Sequence, residues 1–435
     1  MTAGNTGSLD RGARFSSLIP DQRLARFDSY QLESGVVLRD VAIAYKTWGK
    51  LNAEGTNVLI ICHALSGSAD VEDWWGPLLG PGKAFDTTIF FVFCANVLGS
   101  PYGSSSPVTV NPETGRLYGP EFPVATIRDD VRLHKQVLDQ LGVKQVQFAI
   151  GGSMGGMQVL EWSFYGPDWG ETQRQAIYTD VNYNDGYYSD DKPPNNGLAA
   201  ARMQALLTYR SRNSFQNRFG RNVMLPKIDS HTPANPQRTW SQEVLQHNEG
   251  HKLRLNEAKG IAAAAAAAPV DGTIPAATAN GDANKRPSVY SAQSYLRYQG
   301  DKFVKRFDAN CYIAITRKMD SHDISRGRGD YLEVLGSIPQ PCLVIGIQTD
   351  GLFTIDEQQE LAEYIPKAHL EEIESGEGHD GFLLEFDQVN RHITTFMRQN
   401  APEIFINVRG EEPPAESFAI TKNSVFGEAE DVMRW

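Results

Sequence analysis

The chain has 435 residues and a formal net charge of -12, so it is long enough to bury a substantial core, and an extended surface for polyanions is not expected. Nucleic acid is therefore excluded as the expected partner. Its first twenty residues lack the apolar core of a signal peptide, and no apolar run reaches the length of a membrane span. We expect a cytoplasmic protein with no membrane partner.

The four cysteines stand singly, and no Cys-x-x-Cys pair occurs. They are Cys62, Cys94, Cys311 and Cys342. Most lie inside apolar segments, which is typical of buried, reduced thiols rather than of metal ligands or disulfides. The sequence predicts no metal site and no bound cofactor.

Four short, wholly apolar runs predict strands that are buried on both faces of a parallel sheet. They span residues 58–64, 90–96, 146–152 and 342–348. Between the second and third, residues 126–142 carry apolar side chains at helical spacing and end at Gly142. This alternation of strand and helix predicts an α/β fold with a mostly parallel central sheet.

The composition of the chain changes at about residue 183. From there to residue 342, polar, alanine-rich and helical segments replace the apolar runs. We interpret this as a helical lid inserted between two parts of one sheet. The predicted organisation is an N-terminal extension (1–27), a first core part (28–182), the lid with its alanine-rich variable loop (183–335), a second core part (336–405) and a tail (406–435).

The segment GGSMG at residues 151–155 fits the pattern G-x-S-x-G between a predicted strand and a predicted helix. In such a strand-turn-helix elbow a strained serine projects its hydroxyl, and the glycines avoid clashes with neighbouring strands. We therefore predict Ser153 as a catalytic nucleophile. The alternative is a glycine-rich turn with an incidental serine.

A serine nucleophile needs a base, and in elbow enzymes the acid and then the base follow along the chain. Asp350 comes directly after a predicted strand, and His379 lies on a glycine-flanked loop beyond the next one. We predict that His379 takes the serine proton and that Asp350 fixes the imidazole. His63, which ends an apolar run, is a rival base for which we favour an orienting role.

The loop after His63 and the turn after Ser153 are positioned to donate backbone N–H groups to an oxyanion. We predict Leu65 and Met154 as this pair. The Gly/Ser-rich segment 98–107 lacks the G-K-[ST] of a phosphate-binding loop. It is predicted to be an ordered surface loop.

Several segments together carry a resemblance to a known family, among them CHALSGSADVEDWW, GGSMGGMQVLEW, GLAAARMQALLTYRS and EGHDGFLLE. From about residue 28 to 400 the sequence resembles the homoserine O-acetyltransferases, enzymes of the α/β-hydrolase fold, and its alanine-rich insertion resembles the fungal branch. The resemblance implies ping-pong acetyl transfer from acetyl-CoA to the γ-hydroxyl of L-homoserine, in methionine biosynthesis, with acetyl-CoA as co-substrate and a homodimer as assembly.

The resemblance also implies substrate contacts. Arg202 and Tyr209 match the positions that hold the substrate carboxylate, and Asp380 matches the partner of the substrate ammonium. Arg326 and Arg328 are either contacts to CoA phosphates or a solvated basic turn. Other acceptors (L-serine or deacetylcephalosporin C), a succinyl donor, a plain esterase and a non-catalytic relative stay open, since an elbow and a triad serve several chemistries.

One departure from the family pattern stands out. Roughly two dozen residues are missing between Trp169 and Gly170, including an apolar strand expected after the elbow helix. Either a mis-spliced gene product or a variant with a rearranged sheet would explain this. Losing a core strand exposes backbone groups on two neighbours, so we expect the chain to be poorly soluble or inactive.

Overall fold

Nine strands and twelve α-helices lie in residues 11–163, 171–220 and 291–405, which are the residues that the computed structural model describes. The strands are β1 (Arg23–Gln31), β2 (Val37–Trp48), β3 (Val58–Cys62), β4 (Phe91–Ala95), β5 (Val110–Asn111), β6 (Arg116–Leu117), β7 (Val146–Gly151), β8 (Cys342–Ile347) and β9 (Ala368–Ile373). The helices are α1 (Arg11–Ser16), α2 (Val71–Trp75), α3 (Ile127–Gln140), α4 (Met154–Ser163), α5 (Glu171–Tyr178), α6 (Asn195–Tyr209), α7 (Arg212–Phe219), α8 (Ser291–Arg306), α9 (Ala309–Asp320), α10 (Tyr331–Gly336), α11 (Ile355–Tyr364) and α12 (Phe386–Asn400).

The strands form one five-stranded sheet in the order β1-β2-β4-β3-β7 and two smaller sheets, β5-β6 and β8-β9. Pairing is antiparallel for β1 with β2 and for β2 with β4, and parallel for β3 with β4, β3 with β7 and β8 with β9. The sheet is therefore mixed, with its parallel part at the end that carries the elbow. The prediction of an α/β fold is confirmed.

All four predicted apolar strands are present, as β3, β4, β7 and β8. Every residue of β3 and β4 is buried, since each has a strand on both sides. The predicted helix at 126–142 is α3, whose Thr126 and Asp129 form a capping box and whose end is followed by Gly142 at φ 84°.

The antiparallel β1 and β2 were not predicted as strands. β1 begins at Arg23, which pairs with Tyr45 of β2, so the sheet starts before the predicted core boundary at residue 28. Ahead of it, Phe15 and Ile19 are buried in the core. Part of the predicted N-terminal extension thus belongs to the core, because half-exposed β1 gives no continuous apolar run.

The prediction of a surface loop at 98–107 is wrong, because most of this loop is buried. Two of its serine hydroxyls accept hydrogen bonds from backbone N–H groups of β2, where a neighbouring strand would otherwise accept them. Ser105 Oγ accepts from Ala42 N at 2.9 Å, and Ser104 Oγ accepts from Ala44 N at 3.0 Å. The serines therefore satisfy buried backbone donors.

Helices and no strands occupy the described residues between Ser163 and Cys342, in line with the predicted helical insertion. Two compact units divide the chain, Met1–Ser214 with Gln299–Trp435 and Phe215–Tyr298. The second unit is narrower than the predicted lid of 183–335, because α9 packs in the same core cluster as Leu65 and Met154. The alanine-rich loop, the 406–435 tail and the Trp169–Gly170 junction lie outside the described residues.

The cysteines are free thiols, as predicted. Cys62, Cys94 and Cys311 are buried, and Cys342 is half-buried at the start of β8. None of the helices in the described ranges is long and apolar enough to cross a membrane.

Candidate active site

The elbow between β7 and α4 gives Ser153 an unusual backbone. Its φ of 58° lies in the left-handed region, which non-glycine residues enter at a cost and which is common at functional sites. The serine follows the last residue of β7 by two positions and precedes the first residue of α4. The structure therefore contains the strained strand-turn-helix elbow that the pattern predicts.

The glycines around Ser153 allow other atoms to approach closely. A Cβ on Gly155 would lie 2.1 Å from Cys62 O, and one on Gly152 would lie 2.5 Å from the Phe382 ring. A Cβ on Gly151 would lie 2.5 Å from the backbone of Gly155. The turn can fold against β3 only with glycine at these positions.

Asp350 and His379 are brought together as predicted. His379 Nδ1 lies 2.7 Å from Asp350 Oδ2, and both side chains are almost fully buried. Asp350 Oδ1 accepts the amide hydrogens of Leu352 at 2.8 Å and Phe353 at 3.0 Å, which fixes the carboxylate. This arrangement places the proton on Nδ1 and leaves Nε2 as the basic nitrogen.

Aromatic rings hold the His379 imidazole on three sides. Phe353 stacks on it at 5.2 Å between centroids, Phe382 meets it edge-on at 5.4 Å, and Tyr209 lies at 6.0 Å. Such packing restricts the rotation of the ring, so its direction is set before substrate arrives.

Ser153 and His379 line the same cavity of about 870 Å³, yet they are not joined by a hydrogen bond. Among the described residues, His379 Nε2 makes no hydrogen bond. The acid–base half of the triad is assembled, in a cavity that Ser153 also lines.

His63 is fully buried behind the elbow. Its Nδ1 donates to Ala64 O at 2.8 Å, and its Nε2 accepts from Val97 N at 3.2 Å. Gln158 of α4 donates to His63 O at 3.1 Å. Burial lowers the pKa of His63 to about 4, so the ring is neutral, and its two hydrogen bonds support the orienting role over that of a base.

A buried ion pair between Asp130 and Lys318, which was not predicted, holds the backbone of Leu98, the residue next to Val97. Asp130 Oδ1 accepts from Leu98 N at 2.8 Å, while Lys318 Nζ donates to both Asp130 Oδ2 and Leu98 O at 2.6 Å. Burial raises the pKa of Asp130 to about 6. The two partners are 188 residues apart in sequence, so no local pattern could have paired them.

The buried histidines predict an acid-sensitive fold. Burial lowers the pKa of His63 to about 4 and that of His134 to about 3, both from 6.5. Their stabilising contribution is complete above pH 6.5 and is lost as the pH falls towards these values. Asp130, whose pKa is raised, acts in the opposite direction. We expect the free energy of unfolding to fall by about 3 kcal/mol between pH 7 and pH 4.

Urea unfolding across this pH range measures that fall, and His134→Gln should reduce it by removing one of the two histidines. Unfolding free energies that stay constant or rise towards pH 4 would contradict the assignment of neutral, buried imidazoles.

The two predicted oxyanion donors flank the elbow. Met154 is buried and is the first residue of α4, so its N–H has no acceptor within the helix. Leu65 is buried in the loop after β3, which is held by Arg306 Nη1 donating to Ser66 O at 3.0 Å. Both amides thus belong to fixed backbone beside Ser153.

Arg202 and Tyr209 lie on α6, within two turns of each other. Arg202 is only 2% exposed, and its guanidinium carbon lies 5.8 Å from the centre of the Tyr209 ring and 5.2 Å from that of Phe303. Because Tyr209 also contacts His379, a buried cation lies one aromatic ring away from the catalytic imidazole.

Asp380 is buried beside His379 and forms an ion pair that was not predicted. Its Oδ2 lies 2.6 Å from Nε of Arg210, whose Nη1 also lies 2.6 Å from Glu377 Oε2. Two carboxylates thus share the Arg210 guanidinium. Sequence reasoning missed Arg210 because its partners lie far along the chain.

Comparison with known proteins identifies the family. A family profile described as alpha/beta hydrolase fold matches residues 57–386. The homoserine O-acetyltransferase of Emericella nidulans is 51% identical over 97% of this chain and 96% of that protein. The chain belongs to the homoserine O-acetyltransferase family. The resemblance read from the sequence is confirmed.

Solved structures share the fold of this family member. The esterase E22 matches 87% of the chain and 99% of its own with a TM-score of 0.67 at 24% identity. The homoserine O-acetyltransferase from Bacillus anthracis matches 87% of the chain and 98% of its own with a TM-score of 0.67 at 22% identity. Both likenesses establish the α/β-hydrolase architecture.

A second curated relative is similar to most of the chain. The homoserine O-acetyltransferase of Gibberella fujikuroi is 48% identical over 413 aligned positions, which take in 90% of this chain and 91% of that protein. Since 90% of 435 residues is about 391, roughly 20 of those positions have a residue in the relative and none in this family member.

Arg326 and Arg328 have partners within the chain. Arg328 Nη2 lies 2.8 Å from Glu161 Oε2, and Arg326 is exposed and donates to Ser321 O. Arg128 bonds Glu161 Oε1 at 2.9 Å on the other side. In this homoserine O-acetyltransferase family member, Arg328 thus has a structural role on α4.

Proposed function

We propose that the chain transfers the acetyl group of acetyl-CoA to the γ-hydroxyl of L-homoserine through an acetyl-Ser153 intermediate. The observation that carries the proposal is the buried Arg202, one aromatic ring away from His379. A plain esterase has no need of a fixed cation there, whereas an amino-acid acceptor brings a carboxylate that a guanidinium binds well. The name of the Emericella nidulans relative supports the same acceptor.

In the first half-reaction, Ser153 Oγ attacks the thioester carbonyl carbon while His379 Nε2 takes its proton. The N–H groups of Leu65 and Met154 stabilise the oxyanion. Collapse breaks the C–S bond, and the imidazolium gives its proton to the departing sulfur. CoA leaves, and Ser153 carries the acetyl group as an ester.

In the second half-reaction, His379 Nε2 takes the proton of the homoserine γ-hydroxyl, whose oxygen attacks the acetyl carbon. The same two N–H groups stabilise the second oxyanion, and the imidazolium returns the proton to Ser153 Oγ. The products are O-acetylhomoserine and free enzyme. Asp350 keeps Nδ1 protonated and stabilises the imidazolium in both halves.

The acceptor is a zwitterion, and oppositely charged groups flank the imidazole. Arg202 and Tyr209 would hold the carboxylate. Asp380, within a cluster in which Arg210 faces two carboxylates, would hold the ammonium group.

Replacing Arg202, the buried cation, tests whether the acceptor is homoserine. Arg202→Lys loses the two parallel donors of guanidinium, so KM for homoserine should rise about 100-fold while acetylation of Ser153 by acetyl-CoA is unchanged. Steady-state kinetics with homoserine and with L-serine, on this chain and on one in which the segment expected between Trp169 and Gly170 is restored, measure the effect. The exposed Arg398→Lys is the matched control.

A preference for serine over homoserine would overturn the choice of acceptor. Hydrolysis of acetyl-CoA that is equally fast without any acceptor would favour an esterase. We also propose a cytoplasmic location, as expected from the sequence, and a homodimer, which the resemblance implies. Light scattering on the purified protein tests the second of these proposals.

A further inference from the structure

The loop after β3 closes on itself as a tight turn around one of the two proposed oxyanion donors. Gly67 N donates to Ala64 O at 2.9 Å. Leu65 and Ser66 are the two residues between them and form the turn. Leu65 N–H belongs to the same peptide group as Ala64 O, and in a planar trans peptide the N–H and the C=O point in opposite directions. The bond that closes the turn therefore sets the direction of the Leu65 N–H.

A buried guanidinium holds the other side of this turn. Arg306 is the last residue of α8, and its Nη1 donates to Ser66 O at 3.0 Å. Ser66 O and Gly67 N belong to one peptide group, so the group that closes the turn is itself bonded to Arg306. Hydrogen bonds from a charged donor are stronger than those from a neutral one. Arg306 thus fixes the peptide group on which the direction of Leu65 N–H depends.

Hydrogen bonds connect Arg306 to Leu65 through two peptide groups. The guanidinium donates to Ser66 O, and the N–H on the other side of that peptide donates to Ala64 O. The N–H on the other side of the second peptide is that of Leu65. Hydrogen bonds in a chain polarise one another, and buried ones are electrostatically stronger than those in water. A positive charge at the start of this chain therefore strengthens Leu65 N–H as a donor.

Arg306 is itself held in place by aromatic neighbours. Its guanidinium carbon lies 4.8 Å from the centre of the Phe303 ring, one turn earlier in α8. Its Nη1 also donates to the hydroxyl of Tyr102 at 3.3 Å, and that hydroxyl donates to Arg306 O at 3.0 Å. Burial raises the pKa of Tyr102 to about 12, so the hydroxyl stays protonated and keeps both bonds. The direction of the guanidinium is thus set before substrate binds.

We propose that Arg306 is a positioning residue for the oxyanion hole, which acts on Leu65 N–H through the peptide groups of Ser66 and Ala64. The inference rests on the proposed function, because the direction of this N–H matters only where an oxyanion forms beside it. Its effect falls on the transition state, in which the negative charge develops, and not on the binding of either substrate. Loss of Arg306 should therefore lower kcat and leave KM unchanged.

This role differs from that of Arg202, although both guanidiniums contact the Phe303 ring, at 4.8 Å for Arg306 and 5.2 Å for Arg202. An acceptor carboxylate meets Arg202 only in the second half-reaction. An oxyanion forms in both halves, so Arg306 should influence acetylation and deacetylation of Ser153 by the same factor.

The test replaces Arg306 with methionine, which fills similar space and has no N–H donor in its side chain. Stopped-flow acylation of the 435-residue chain by p-nitrophenyl acetate and by acetyl-CoA gives the amplitude and the rate of the burst. Arg306→Met should lower the rate about tenfold with both donors, which is less than loss of an oxyanion donor costs, and leave the amplitude unchanged. Deacetylation by homoserine should slow by the same factor. Arg306→Lys, whose ammonium group can still donate to Ser66 O, should restore most of the rate.

The matched control is Lys305→Met, at the exposed neighbouring position of α8, which should behave as the parent. Amide hydrogen exchange at Gly67, whose N–H closes the turn, needs no reaction and should be faster in Arg306→Met than in the control. If the parent shows no burst with either donor, the acyl-serine chemistry of the proposed function fails, and the exchange result alone decides this inference. An unchanged burst rate, a loss of amplitude at an unchanged rate, or unchanged exchange at Gly67 would overturn it.

Discussion

Ser153→Ala is expected to lower kcat for acetyl transfer by a factor of about 10⁴ or more, because no other group can carry the acetyl ester. The strained φ of 58° should tolerate alanine about as well as serine, since the glycines around it relieve the crowding. Circular dichroism and Tm should therefore be nearly unchanged. The measurement is steady-state release of CoA with acetyl-CoA and homoserine, on this chain and on one in which the segment expected between Trp169 and Gly170 is restored.

Ser163→Ala is the matched control, because Ser163 ends α4, the helix that Ser153 precedes, and its hydroxyl donates to Val159 O at 3.2 Å. It should keep full activity. Acetyl transfer by Ser153→Ala within tenfold of the parent would rule out an acyl-serine mechanism and leave direct attack of homoserine on the thioester.

Asp350→Asn is expected to lower kcat by about 10⁴-fold with little change in the fold. An asparagine can still accept from the amides of Leu352 and Phe353 through its oxygen, as Asp350 Oδ1 does. Its NH₂ group then faces His379 Nδ1, which must become the acceptor. The proton moves to Nε2, and the base that Ser153 needs is lost.

The pH dependence separates this explanation from simple misfolding. A wrong tautomer is partly relieved when hydroxide acts as the base, so the residual rate of Asp350→Asn should keep rising with pH. The exposed Asp356→Asn, on α11, is the control and should behave as the parent. A loss of less than tenfold would mean that Asp350 does not orient His379.

The sequence predicted those parts of the fold that short-range patterns of apolar residues, helix caps and glycines indicate. β3, β4, β7 and β8 are largely apolar runs, and α3 carries a capping box and is followed by a glycine. Asp350 and His379 were predicted from their order after Ser153, and the structure joins them at 2.7 Å. Short-range patterns sufficed because the elbow and its crossovers leave few other arrangements.

Local sequence patterns could not predict ion pairs between residues that lie far apart in the chain. Asp130 meets Lys318, and Asp380 meets Arg210, across long stretches of chain. The loop at 98–107 is polar in composition, yet it is buried because its serines bond the backbone of β2. Composition alone assigns such a segment to the surface, since the partners that satisfy its hydroxyls are set by the fold.

The expected strand after α4 stays a prediction, because the Trp169–Gly170 junction lies outside the described residues. Among the described residues, β7 pairs with β3 and β8 pairs with β9, so the strands that lead to Ser153 and to Asp350 belong to different sheets. The expected weakness of the chain, and its expected recovery when the segment is restored, are predictions that kinetics on both chains test.

The most direct measurement is the mass of the protein after mixing with acetyl-CoA alone, followed by peptide mapping and then by addition of homoserine. A chain in which the segment expected between Trp169 and Gly170 is restored is compared with the 435-residue chain. Ping-pong transfer predicts one acetyl group on Ser153 that persists without an acceptor and disappears when homoserine is added, with O-acetylhomoserine as product. No acetyl group on Ser153, or an acetyl group lost to water at the same rate with and without homoserine, would contradict it.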